Sequence, residues 1–183
     1  MPIVSCTRAA LAALTLLMLV TPATASEPPA SRSSNVRAET SGLKQLIADG
    51  ISGSAAFRAL VSTVEQSDLV VYVRCRLFPE HELRGRLGLL SAVRGHRYAV
   101  IEISCYQPYG ALIATLAHEL QHAVEVASAP WVVDTHTFEE FYAATGELVS
   151  SGGGTRMYET GAAVERAARV RRELRQIDTG GFK

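Results

Sequence analysis

Apolar positions recur at helical spacing in five stretches of this chain and at alternate positions in three others. Leu43 to Ala48 and Ala55 to Val64 carry the first helical pattern. The break at Gly50 to Gly53 predicts two short helices or one interrupted helix. Leu69 to Arg76 alternates and is rich in β-branched residues, which predicts a strand. Phe78 to Glu82 reads as a turn. Gly85 to Val93 and Tyr98 to Cys105 predict two more strands, joined across Arg94-Gly95-His96. So short a connection favours antiparallel pairing. Tyr106 to Gly110 ends the sheet with a Pro and a Gly. Ala111 to Ala127 then runs without Gly or Pro, and Ile113, Leu116, Leu120, Ala123 and Ala127 make one buried helical stripe. Pro130 closes it. Thr135 to Thr145 predicts a shorter helix with Phe138, Phe141 and Tyr142 inward, Ser150 to Thr155 a Gly-rich loop, and Met157 to Gln176 a last helix. The pattern specifies an α+β domain, a small antiparallel sheet packed on helices.

The first residues follow a different logic. Arg8 precedes the apolar run Ala9 to Val20, and Ala23-Thr24-Ala25 follows. A short positive start, a short apolar stretch and an Ala-x-Ala site read as a secretory signal peptide, residues 1–25. The run is shorter than the roughly 20 apolar residues that span a bilayer, so no stable membrane insertion is expected after cleavage. Cys6 lies before the apolar run, the wrong place for lipid attachment at the cleavage site. Residues 26–41 are polar, with Pro28, Pro29 and several serines, and read as a disordered leader. Residues 42–183 make a single domain.

Export changes the reading of charge and thiols. The full chain has 18 basic and 18 acidic side chains, and cleavage after Ala25 removes Arg8 alone, so 17 minus 18 leaves −1. That balance offers no attraction for nucleic acid. Cys75 and Cys105 each close an alternating run on its buried face. An oxidising compartment permits a bridge between them. Two buried free thiols fit the same pattern.

The chemistry lies in His118-Glu119-Leu120-Gln121-His122. Residues four apart stack on one helical face about 6 Å from each other, so both imidazoles can reach one tetrahedral metal. Glu119, rotated about 100° from His118, suits a water on the metal's open position and would take its proton. His81-Glu82-Leu83 begins the same way, but Gly85 stands where the second histidine would be.

These residues resemble the HExxH signature of the zincin metallopeptidases. The order of sheet, HExxH helix and later glutamate is similar to small gluzincins. The strict match covers His118 to His122, and the looser one Leu69 to Leu174. The resemblance implies a Zn²⁺ cofactor, peptide or protein substrates, and a glutamate on a separate helix as third ligand. Metzincin spacing is excluded, because Glu125 and Ser128 replace the Gly and His it requires. In the last helix Ala163, Ala167, Val170 and Leu174 face inward, and Glu159 falls within about 40° of that stripe. An inward carboxylate needs a compensating partner, which a metal supplies. Glu159 is therefore the expected third ligand, with Glu139 and Glu140 as the alternatives. The acid that some gluzincins carry four residues later is Ala163 here. Glu125 lies too far along the helix from His118 to be a ligand, and fits better as a partner to a histidine N–H or as a solvated residue. Tyr142 and Tyr158 read as packed aromatics and His136 as solvated. The expectation is an exported zinc peptidase, with His118, His122 and Glu159 holding metal and Glu119 catalytic. The alternative is a zinc-stabilised structural or interaction domain without activity.

Overall fold

Thr40 and Ser54 start the first two helices. The Thr40 hydroxyl accepts from Leu43 N at the head of α1 (Ser41–Gly53), and the Ser54 hydroxyl from Phe57 N at the head of α2 (Ala55–Glu65). The break thus falls at Ser54 and not at the glycines. Gly50 lies inside α1, where an added Cβ would come 2.8 Å from the Phe57 ring. That glycine serves close packing of the two helices. The computed structural model describes residues 33–79, 83–152 and 155–180. These belong to one compact unit, Ser33–Lys183. The signal-peptide reading and residues 26–32 of the leader lie outside the described residues, as does most of the turn expected after Phe78.

The end of the expected leader is ordered. Val36–Ala38 forms a strand, β1, parallel to β2 (Leu69–Cys75). The Glu65 carboxylate accepts from Asn35 N at 2.9 Å and Val36 N at 3.1 Å, and Val71 N donates to Asn35 O. Only Val36 is apolar and buried in this strand, so composition alone reads it as loop.

β3 (Gly85–Val93) and β4 (His96–Ile103) form the expected hairpin. Arg94 and Gly95 both take positive φ, 51° and 79°, as a two-residue hairpin turn requires. The sheet as a whole corrects the antiparallel expectation. Its order is β1-β2-β4-β3, with β1–β2 and β2–β4 parallel and only β3–β4 antiparallel. The turn dictates one local pair. β2 chooses β4 over its chain neighbour, a long-range decision that no local pattern encodes. β3 is left as an outer strand.

Helices α1 and α2 and the long helix α3 (Tyr109–Ala127) share one core with the inner sheet face, through Phe57, Leu69, Ile101, Ile103, Leu116 and Leu120. α3 is buried around much of its circumference, well beyond the expected stripe, since Leu112, Ala114, Ala117 and Gln121 are buried too. Its last carbonyls have no intrahelical donors and meet Arg97, 2% exposed. Arg97 donates to Val126 O at 2.8 Å, Ala127 O at 3.1 Å and Ala129 O at 2.7 Å, and forks onto Asp68. This buried cation sits where the helix dipole is negative and ties α3 to β4. Cys75 and Cys105 are bridged, Cα atoms 5.6 Å apart, which joins the end of β2 to the segment leading into α3.

On the other sheet face Glu102 is buried under three half-exposed arginines, Arg74, Arg76 and Arg86. Burial opposes its charge, yet the three guanidiniums hold the carboxyl down at about 2. α4 (Thr135–Thr145) starts on an Asp134–Thr137 capping box and buries Tyr142. The expected Gly-rich loop is instead part of a two-stranded hairpin, β5 (Glu147–Gly152) and β6 (Thr155–Glu159). The last helix, α5 (Gly161–Gly180), begins four residues later than its apolar pattern suggested. Among the described residues, no helix is long and apolar enough to cross a membrane.

Candidate metal centre

α3 carries His118 and His122 on one face, their ring centroids 4.9 Å apart. His122 is buried and His118 half-buried. Glu159 reaches them from the last residue of β6, not from a helix. This corrects the expected C-terminal glutamate helix. The inward stripe of Ala163, Ala167 and Val170 is real, but it belongs to α5, and Glu159 precedes that helix. Thr160 makes the transition. Its hydroxyl accepts from Ala163 N in the first turn of α5, and its N–H donates to Glu159 Oε1 at 2.9 Å. The side chain of Glu159 is thereby held at the turn from strand to helix.

Glu159 Oε1 lies 3.1 Å from His118 Nε2 and 3.6 Å from His122 Nε2. One donor atom from each of the three residues falls within 4.8 Å of the others. Tetrahedral zinc, with bonds of about 2.0–2.1 Å, sets its donors roughly 3.3 Å apart. The two glutamate–histidine separations match that spacing, so this group of two nitrogens and a carboxylate oxygen could hold such an ion. The alternatives for the third position are elsewhere. Glu139 is half-exposed and 3.7 Å from Arg156, and Glu140 lies 3.3 Å from the exposed His136.

Glu125 organises the cluster from behind. Its Oε2 lies 2.9 Å from His122 Nδ1, and its Oε1 accepts from the Thr160 hydroxyl at 2.8 Å. One carboxylate therefore steadies a histidine and the residue beside the third donor. The Tyr142 hydroxyl donates to His122 O at 3.1 Å, its ring edge-on to the imidazole. Tyr142 is a packed aromatic, as expected, with a supporting role the pattern did not reveal. Tyr158 is half-buried against the core. Burial opposes the charges of this cluster, but mutual bonding outweighs it. Glu125 and Glu159 push His122 up to about 9, while His118 and His122 hold Glu159 down at about 2.

Glu119 follows His118 on the same helix, about 100° round from it. It is 5% exposed, and burial pushes its carboxyl up to about 7 against the pull of His122 and His118. No described residue hydrogen-bonds to it, which leaves its oxygens available to another molecule. A cation among the three donors would favour its charged form. The start of β3 passes directly over it. A Cβ added to Gly85 would come 2.6 Å from Glu119 Oε1 and 3.0 Å from Thr115 Cγ2. The Glu119 carboxylate is the movable partner, so Gly85→Ala should displace it without unfolding the sheet. We expect hydrolysis, if Glu119 is the base, to fall by about 10²-fold, since misplacing a reacting group by about 1 Å has that effect. Zinc content and melting temperature, measured alongside, should stay near wild type.

No family model, curated protein or solved structure matches this chain. The sequence reading missed Thr160 and Gly85. Neither carries a metal-binding or acid–base group, and both matter only through contacts made by folding.

Proposed function

We propose that this chain is an exported, zinc-dependent peptidase of zincin type. The observation that carries the reading is the convergence of His118, His122 and Glu159 on one point, with Glu119 buried beside it and unbonded. Bound zinc would supply Lewis acidity, acidifying water and polarising the scissile carbonyl. Glu119 would take the proton from that water and return it to the leaving amine. Glu125, on His122 Nδ1, would hold the ring with Nε2 toward the metal. Among the described residues the group is His118, His122 and Glu159, three donors, the number that a catalytic zinc takes from protein.

The outer strand supports a peptide substrate. Among the described residues β3 pairs with β4 alone, and its first residue lies against Glu119. An extended chain adding to that free edge would carry a peptide bond past the carboxylate. The signal-like start and the Cys75–Cys105 bridge both suit an oxidising, exported location.

The direct test is metal removal. Purified mature chain should contain stoichiometric zinc and cleave unfolded protein substrates. A chelator should abolish cleavage, and added Zn²⁺ should restore it. Full activity after complete metal removal would exclude the mechanism.

A further inference from the structure

A groove of about 360 Å³ runs along the outer side of α5 and begins at Gln121 of α3. Gln121 lies between the two histidines in sequence. Ala162, at the same end of the groove, is three residues after Glu159. The groove therefore starts within about one helical turn of both segments that carry the donor cluster. Its concavity has a simple source, since Ala162 and Ala168 put methyl groups where longer side chains would fill the space.

The rest of its lining is cationic. Arg166, Arg169 and Arg172 recur every three residues along one side of α5, against the single lining acid Glu165. Among the described residues only Arg169 of the three has a carboxylate partner, Glu173 at 2.9 Å, and Glu173 also accepts from the Ser54 hydroxyl and Ala56 N. Arg166 is half-buried and fixed by a neutral group, its Nε donating to Gln121 Oε1 at 3.2 Å. Four of its five N–H donors remain for another acceptor. Arg172 has no ion-pair or hydrogen-bond partner among the described residues, and Glu165 makes no ion pair there. Three arginines beside a cavity, with one of them paired to a carboxylate among the described residues, favour an anionic occupant.

From these features we infer that the groove takes an acidic stretch of the polypeptide presented to the metal centre. This assignment rests on the peptidase reading, because only a substrate must occupy both places. The spacing suits an extended chain. Arg166 to Arg172 spans about 9 Å of helix axis, the length of about three extended residues. A run of adjacent or alternating Glu and Asp matches that reach, and guanidinium forks match carboxylates.

The test uses the full mature chain and a fluorescein-labelled peptide with Glu-Glu-Glu set between alanines, followed by anisotropy. A Lys-Lys-Lys and a Gln-Gln-Gln peptide are the comparisons. The acidic peptide should bind at least tenfold more tightly than the neutral one, and the preference should shrink with added salt. Arg172→Glu should weaken acidic-peptide binding by about fivefold or more, the upper range for an exposed ion pair, and Arg172→Lys should restore most of it. Binding is measured with zinc and with chelator, so it reads the groove even if the metal reading fails. Cleavage of acidic and neutral substrates by zinc-loaded protein then reads the link. The ratio of their kcat/KM values should drop in Arg172→Glu. Equal binding of acidic and neutral peptides, or acidic binding unmoved by Arg172→Glu, overturns the groove assignment. Acidic binding with no preference in cleavage overturns its place in the substrate path.

Discussion

Glu119→Gln is expected to abolish peptide hydrolysis while leaving zinc in place. The substitution keeps the size and shape of a side chain that is 5% exposed, so packing against Gly85 and Thr115 is retained. Among the described residues it removes the one carboxylate beside the donor cluster that has no hydrogen-bond partner, the group placed to accept a proton from water and pass it on. General-base removal lowers rates by roughly 10²–10⁴-fold, and loss near the upper end is expected because among the described residues no other free carboxylate adjoins the donors. Stability should hold or rise, since a buried carboxylate without a hydrogen bond is costly and an amide is cheaper to bury. The measurement pairs kcat/KM with zinc content on the same preparation. Wild-type turnover by zinc-loaded Glu119→Gln would remove Glu119 from the mechanism.

The second large effect is expected at Glu159. Glu159→Ala removes one of three donors and leaves two histidines of a single helix. Zinc affinity should fall by more than the roughly 10–100-fold that loss of an outer partner costs. Glu125→Gln, which disturbs only that outer support, should stay within that range and so calibrates the comparison. Affinity should also depend on pH in a definite sense. His122 is pushed up to about 9, so at neutral pH a proton competes for its ring. Zinc binding should strengthen as pH rises toward 9 and level off above it, with protons released on binding. Titration against a competing chelator reads both effects. Tight stoichiometric zinc in Glu159→Ala would refute the three-donor centre.

The site was legible to different depths. His118, Glu119 and His122 could be read directly, because helical spacing alone puts two imidazoles on one face and the carboxylate beside them. Glu159 was reached by extending a helical phase past the point where the helix begins. The residue is the one that meets the histidines, but through a strand end and the Thr160 turn. Glu125 was readable as a helix neighbour of His122, whereas its bond to Thr160 joins segments 35 residues apart.

The same division holds for the fold. Local rules are written in neighbouring residues, so the amino-acid order by itself determined the helices at Ala55 and Thr135, the Arg94-Gly95 hairpin and the histidine pair on α3. Pairing partners are not local. The parallel place of β2 beside β4, the short strand at Val36, the Cys75–Cys105 bridge and the passage of Gly85 over Glu119 were decided only by the tertiary structure. Each depends on which distant surfaces bury one another best, a competition among contacts that no single stretch of sequence contains.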